Sequence, residues 1–86
     1  MGSYSVRIVR SAEKEIAGLT APLRRFVIAR IRALAHDPRP PGCQKLTGED
    51  KYRIRQGDWR VVYVIEDAIV TVTVVRVAHR SVVYRR

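Results

Sequence analysis

Cysteine occurs once in this 86-residue chain, at Cys43, so no disulfide can close within it and a reducing compartment is the expected setting. No cluster of Asp, Glu, His or Cys stands at metal-ligand spacing, which argues against a zinc site or any other metal centre. No stretch approaches the roughly 18 apolar residues of a membrane span. Residues 1–10 carry no continuous apolar core of the kind a secretory leader needs. A cytoplasmic protein without membrane association is therefore expected. A glycine-rich phosphate loop is missing, and no Ser or Cys sits in a nucleophile pattern, so nucleotide hydrolysis and acyl transfer are disfavoured. Lysine is scarce as well. Lys14, Lys45 and Lys51 are the only three among 17 basic residues, which leaves fourteen arginines.

What is present is positive charge on a packable chain. The formal net charge is +9, from 17 Lys and Arg against 8 Asp and Glu, and it is spread over both halves of the sequence. A polyanionic partner follows as the default, and arginine favours bidentate phosphate contacts over diffuse attraction. Arg7, Arg24, Arg25, Arg30 and Arg32 are equally well read as a solvated basic surface. Hydrophobic residues make up 47%, enough to argue for a packed core and against disorder. A chain this short buries only about 60 to 65% of its unfolded surface, so it reads as one domain of modest stability, spanning 1–86.

Alternation over residues 4–9, with Val6 and Ile8 on one side, predicts a first strand. Ser11 is placed to cap a short helix carrying Ala12, Ile16 and Leu19, which Gly18 weakens. A second helix, begun by Thr20 and Pro22 and running to His36, carries Leu23, Phe26, Val27, Ile31, Leu34 and Ala35 at helical spacing. The prolines at 38, 40 and 41 stop it, and residues 44–50 read as loop. Everything after that is strand. The predicted fold is α+β, in the order β-α-α-β-β-β, with a helical hairpin on one face of a mostly antiparallel four-stranded sheet whose edge the first strand joins.

Gly57 and Asp58 predict a two-residue hairpin turn of the glycine-first type. The turn sets Arg55 opposite Arg60, Ile54 opposite Val61, Arg53 opposite Val62 and Tyr52 opposite Tyr63. Directly opposed residues share a face. Arg53, Arg55 and Arg60 then share an open face, while Tyr52, Ile54, Trp59, Val61, Tyr63 and Ile65 face the helices, so Trp59 and Tyr52 read as packing residues. A second turn at Asp67 and Ala68 puts Thr71 and Thr73 on the arginine face and Val70, Val72 and Val74 in the core. Arginine opposite arginine is unfavourable unless an anion lies between them or both guanidinium groups splay into water at little cost.

RNA can be cut without a metal when its 2′-hydroxyl attacks the adjacent phosphate. The reaction needs an acceptor for that proton, a donor for the leaving 5′-oxygen, and cations around the phosphorane. Arginines hold their charge, so Arg53, Arg55, Arg60 and Arg80 suit the last role. Proton transfer is left to Tyr84, His79 or Asp58. Tyr84 stands in sequence beside Arg80, Arg85 and Arg86, which favour a phenolate, and histidine titrates near neutrality.

Arg53 and Arg55 followed by Gly57-Asp58-Trp59-Arg60-Val61-Val62-Tyr63, then Arg76-Val77-Ala78-His79-Arg80 leading to Tyr84, resemble the RelE/ParE toxin superfamily over almost the whole chain, closest to its RelE-like mRNA interferases. The resemblance implies a type II toxin–antitoxin toxin that cuts mRNA in the ribosomal A site, without metal or small-molecule cofactor, and is restrained by a cognate antitoxin. Ribosome and mRNA are its implied partners. The catalytic set it implies is Arg60, Arg80 and Tyr84, with His79 as a further candidate. Arg53 and Arg55 would bind phosphate, and Lys51, Arg76 and Arg85 extend that set. The best-known members have lysines where Arg53 and Arg55 stand, so the proton acceptor stays open between His79 and Tyr84. ParE-like relatives keep the fold and act on DNA gyrase, which makes a gyrase inhibitor the alternative, alongside a catalytically silent module that binds RNA or antitoxin.

Overall fold

The computed structural model describes residues 3–46 and 50–83. Strand β1 (Ser5–Ile8) is followed by helices α1 (Arg10–Ala17) and α2 (Ala21–Ala33), strands β2 (Gln44–Lys45), β3 (Lys51–Gln56), β4 (Trp59–Glu66) and β5 (Thr71–His79), and a last short helix α3 (Arg80–Val83). The sheet runs β1-β5-β4-β3-β2. β1 lies parallel to β5 and the other pairs are antiparallel. The predicted class and helix-on-sheet arrangement hold. The sheet has one strand more than expected, because Gln44 and Lys45, read as loop, pair with Arg53 and Tyr52.

The helices differ from expectation at their ends. α1 starts one residue before Ser11, with the Val9 carbonyl accepting the first helical bond from the Glu13 amide at 3.0 Å. α2 stops at Ala33, and its tail tightens into three-residue turns, with the Leu34, Ala35 and His36 amides bonded to Ile31, Arg32 and Ala33. Its buried stripe is Val27, Ile31 and Leu34, four and three residues apart. Phe26 falls beside that stripe and is 61% exposed, so the expected core position is corrected.

The β3–β4 register is the one the Gly57 turn predicts, with Arg55 opposite Arg60 and Tyr52 opposite Tyr63. Gly57 takes φ 62, a left-handed conformation open to glycine without steric cost. The β4–β5 connection is longer than the two residues expected. Asp67–Ile69 form a 3-10 turn and Val70 closes it at φ 50, its amide donating to the Asp67 carbonyl at 3.1 Å. Ile65 therefore meets Val72 rather than Val70, a shift of two that preserves which face each residue takes. Val72 and Val74 are fully buried as predicted, while Val70, expected in the core, sits in the turn at 43% exposure.

Further along β5 a bulge does change the faces. Tyr63 pairs with Val74 but Val62 with Arg76, so Val75 is the extra residue. Strict alternation from Val74 would have buried Arg76. The bulge instead places Val77 in the core and Arg76 and Ala78 beside Val62 and Arg60.

A polar cluster locks the proline-bearing loop over one end of the sheet. Buried Tyr63 donates its hydroxyl to the Pro38 carbonyl at 2.7 Å, and burial pushes that hydroxyl well above the usual tyrosine range. Arg39 grips Asp67 with Nη2 at 3.0 Å and also donates to the Tyr52 hydroxyl at 3.2 Å, while Tyr4 donates to Asp67 at 2.6 Å. Arg39 first, then Tyr4, hold the Asp67 carboxyl below its ordinary value.

Two outcomes follow. Tyr63→Phe leaves the buried Pro38 carbonyl without its donor, costing about 1–3 kcal/mol; the thermal midpoint should fall by roughly 5–15 °C. Asp67, with a depressed folded pKa, contributes stability above the unfolded carboxylate pKa and loses it as pH falls through the folded one. In urea unfolding, Asp67→Asn should therefore be less stable than wild type at pH 6, with the gap closing toward pH 2.

Candidate functional site

The β-strand pairings collect on one face, away from α1 and α2, Lys51, Arg53 and Arg55 of β3, Arg60 and Val62 of β4, Arg76 and Ala78 of β5, and Gln44 of β2. Sequence parity predicted the arginine triplet to be open. Arg55 is exposed, but Arg53 and Arg60 are only 8% and 5% exposed, which corrects that expectation. Their guanidinium groups bend onto acceptors close by instead of reaching into water. Arg60 donates Nη1 to the carbonyls of Gly57 and Trp59, both at 3.1 Å. Arg53 donates to the side-chain amide oxygen of Gln44 on the edge strand.

Arg60 is a buried cation held by neutral acceptors alone. No carboxylate bonds it among the described residues, and its Nε has no hydrogen-bond partner there. Burying a charge without a counter-charge is costly. With Arg55 directly opposite, the local field is strongly positive. An anion seated beside Arg55 would offset that repulsion, while the Arg60 Nε itself is covered by the protein.

The same hairpin turn holds Arg80. Its amide donates to the Asp58 carbonyl at 2.8 Å, and its exposed guanidinium lies 4.0 Å from the Asp58 carboxylate. Three successive carbonyls, those of Gly57, Asp58 and Trp59, thus fix two arginines, Arg60 on β4 and Arg80 at the start of α3. Asp58 serves that geometry here. Sequence reading had weighed its side chain for proton transfer and its backbone for the hairpin turn.

The other predicted residues divide. Arg76 turns to the β5 edge, where its Nε lies 3.3 Å from Glu15 of α1, and the second Glu15 oxygen accepts from the Val77 amide at 2.7 Å. Lys51 is half-buried opposite Val64 on the cationic face. His79 pairs with Trp59, so both rings lie on the helix side, with the sheet between them and Arg60. The two rings meet edge to face at 5.6 Å, and His79 Nδ1 accepts from the Ser81 amide at 3.2 Å, capping α3. Trp59 and Tyr52 pack against the core as expected, and Tyr52 stacks on Tyr63 at 6.0 Å. Tyr84 and Arg85 lie outside the described residues. Among the described residues no group of three or more His, Cys, Asp or Glu side chains could hold a metal ion. Sequence reasoning missed Gln44 and Glu15. Gln44 reaches its partner through a two-residue strand too short to show alternation, and Glu15 bonds residues 61 and 62 positions away.

The profile of the ParE toxin of type II toxin–antitoxin systems (parDE) matches residues 6–84. Among solved structures, the chain is similar to the RelE–RelB complex of Pyrococcus horikoshii, with 27% identity over 93% of this chain and 98% of that one and a TM-score of 0.83. It is similar to the isolated RelE toxin of Escherichia coli, at 30% identity over 95% and 92% with a TM-score of 0.79. The toxin–antitoxin complex RelBE2 of Mycobacterium tuberculosis matches at 27% identity over 91% and 99%, again with a TM-score of 0.79. No curated protein matches.

Arg60→Met removes a buried charge that has no counter-ion among the described residues, so the variant should melt no lower than wild type, as replacing buried charges by apolar groups often does. Sulfate should raise the wild-type midpoint more than that of Arg60→Met, beyond the general stabilisation that sulfate gives any protein. Equal shifts in differential scanning fluorimetry would remove Arg60 from anion binding.

Proposed function

The chain belongs to the ParE toxin family of type II toxin–antitoxin systems, within the RelE/ParE superfamily, and we propose that it cleaves messenger RNA in the ribosomal A site. The observation that carries this reading is the buried Arg60, held by carbonyls alone, on the same sheet face as Arg53 and Arg55. Phosphoryl transfer is run chiefly by positioning and charge. A site with guanidinium groups fixed by hydrogen bonds suits an in-line attack whose charge spreads over phosphate oxygens.

In this mechanism the RNA 2′-oxygen bonds to the neighbouring phosphorus as its proton passes to a base. The bond to the 5′-oxygen breaks, that oxygen takes a proton, and a 2′,3′-cyclic phosphate and a 5′-hydroxyl result. The electron pair moves without any change of oxidation state, so the step needs no redox cofactor. Arg60, steadied by the hairpin carbonyls, faces the phosphorane. Arg53 and Arg55 hold the flanking backbone with Lys51, and Arg80 approaches from the turn. Tyr84, four residues past Arg80, is assigned the proton work, with Arg85 beside it as a phosphate contact. His79, capping α3 from the helix side, is assigned to positioning that segment rather than to proton transfer. Arg76, committed to Glu15, serves the edge of the sheet.

A cognate antitoxin is the expected partner, since solved relatives include RelB–RelE complexes. An acidic antitoxin segment laid on the cationic face would neutralise Arg53 and Arg60 and exclude RNA. The gyrase-directed reading is favoured by one observation, the match to the ParE profile.

Primer extension on mRNA under translation decides between them. A-site cuts are expected with wild type, and Tyr84→Phe and Arg60→Ala should each lose about 10²- to 10⁴-fold of cleavage. Undiminished cleavage by Tyr84→Phe would take that residue out of the mechanism. Absence of cuts together with gyrase-dependent DNA breaks would establish the ParE-like activity instead.

A further inference from the structure

Back to back with the arginine site, on the helix side of the same sheet end, is a hollow of about 290 Å³. Trp59 and His79 form its aromatic wall, Leu19, Val77 and Val82 add apolar surface, and Lys14 stands at its rim. Trp59 and His79 were assigned above to packing and capping, yet neither is buried. Their rings meet at 87°, so at most one of them gives up a face to its partner.

Neighbouring residues on a strand point to opposite faces. Trp59 and Arg60 are such neighbours, and Arg80 follows His79 directly while its amide is bonded to the turn between β3 and β4. Only the thickness of one strand therefore separates an aromatic, apolar hollow from a buried guanidinium that no carboxylate of the described residues bonds. A chain of alternating anions and flat heterocycles matches that spacing, because its phosphate can meet Arg60 or Arg80 while an adjoining ring turns over the sheet end. The volume is below the several hundred Å³ typical of drug-sized ligand sites, which suits one ring and not a larger molecule. Of the charged residues that line it, Lys14 and Arg76 outnumber Glu15, whose carboxylate is already bonded to Arg76 and the Val77 amide, so the lining favours an anionic chain over an apolar peptide.

We propose that this hollow takes a single unpaired nucleobase of bound RNA, stacked on the Trp59–His79 wall, next to the phosphate held by Arg60. The site rests on the RNA-cleaving reading and extends it to the far face of the sheet. Base stacking on protein aromatics tolerates any base, so the hollow adds affinity and register without demanding a sequence.

Trp59 is the only tryptophan in the chain, so its emission reports on this place alone. The full-length protein is titrated with a 2′-O-methyl RNA trinucleotide, which has no free 2′-hydroxyl to attack with, and with three versions each abasic at one position. Trp59 emission and the anisotropy of a dye on the 3′ end are followed together. Expected are saturable Trp59 quenching by the intact trinucleotide and, at one abasic position, loss of quenching with affinity weakened on the order of tenfold. Val82→Glu, at a 40% exposed position where folding is not at stake, should weaken binding similarly by placing a carboxylate at the hollow. RNA binding seen by anisotropy with unchanged Trp59 emission, or quenching indifferent to all three abasic positions, overturns the hollow and leaves the arginine-face reading intact. Quenching that behaves as expected, in a protein that makes no A-site cuts, keeps the hollow and removes the cleavage reading. No binding by either readout overturns the hollow, and primer extension then judges the cleavage reading separately.

Discussion

The two-residue turn at Gly57 and Asp58 governs more of this molecule than its length suggests. The positive φ of Gly57 sets the β3–β4 register, and the register alone decides that Arg53, Arg55 and Arg60 share a face. The turn then acts a second time through its backbone. Its carbonyls, with that of Trp59, hold Arg60 and the start of α3 at Arg80. A slip of one residue would exchange the buried and cationic faces of β3 and dissolve the arginine cluster, since strand side chains alternate with period two.

That arrangement is electrostatically uncomfortable, and the discomfort is informative. Nothing in packing requires a guanidinium at position 60; an aliphatic chain would fill the space without desolvating a charge. The energy withheld from the folded state is available to whatever anion arrives, because the donors are already oriented and reorganisation at binding is small. The same logic links catalysis and restraint in a toxin. A field that draws a phosphate also draws the carboxylates of an antitoxin, so one surface can serve both the reaction and its suppression.

Much of this was legible in the sequence because it depends on local chemistry. Turn residues fixed one hairpin, period-two alternation fixed the faces, and period-3.6 spacing found both helices. The misses have a common physical origin, in that they are decided by contacts far apart in the chain. Val70 leaves the core because Asp67 is engaged by Arg39 and Tyr4, which extends the turn. Arg76 reaches its face only through the bulge at Val75, and nothing near it in sequence announces the interruption. The depth of Arg53 depends on a two-residue edge strand that carries no periodicity. Phe26 looked like a core residue because helical spacing tolerates neighbours of the true stripe. Of the arginine cluster, the shared face of Arg53, Arg55 and Arg60 was readable, whereas the burial of Arg53 and Arg60 was not.

Glu15 carries one more implication. β1 covers β5 only from Thr71 to Val74, while β5 continues to His79, so the later residues form a raw sheet edge. Such an edge is an open template for another chain's strand and a recognised route to clumping. The Glu15 carboxylate consumes the Val77 amide there and, paired with Arg76, keeps charged groups at the seam. A strand approaching at that point finds its donor already spent and a charge in its way. The helix that completes the core thus also guards a basic, modestly stable toxin against its own copies.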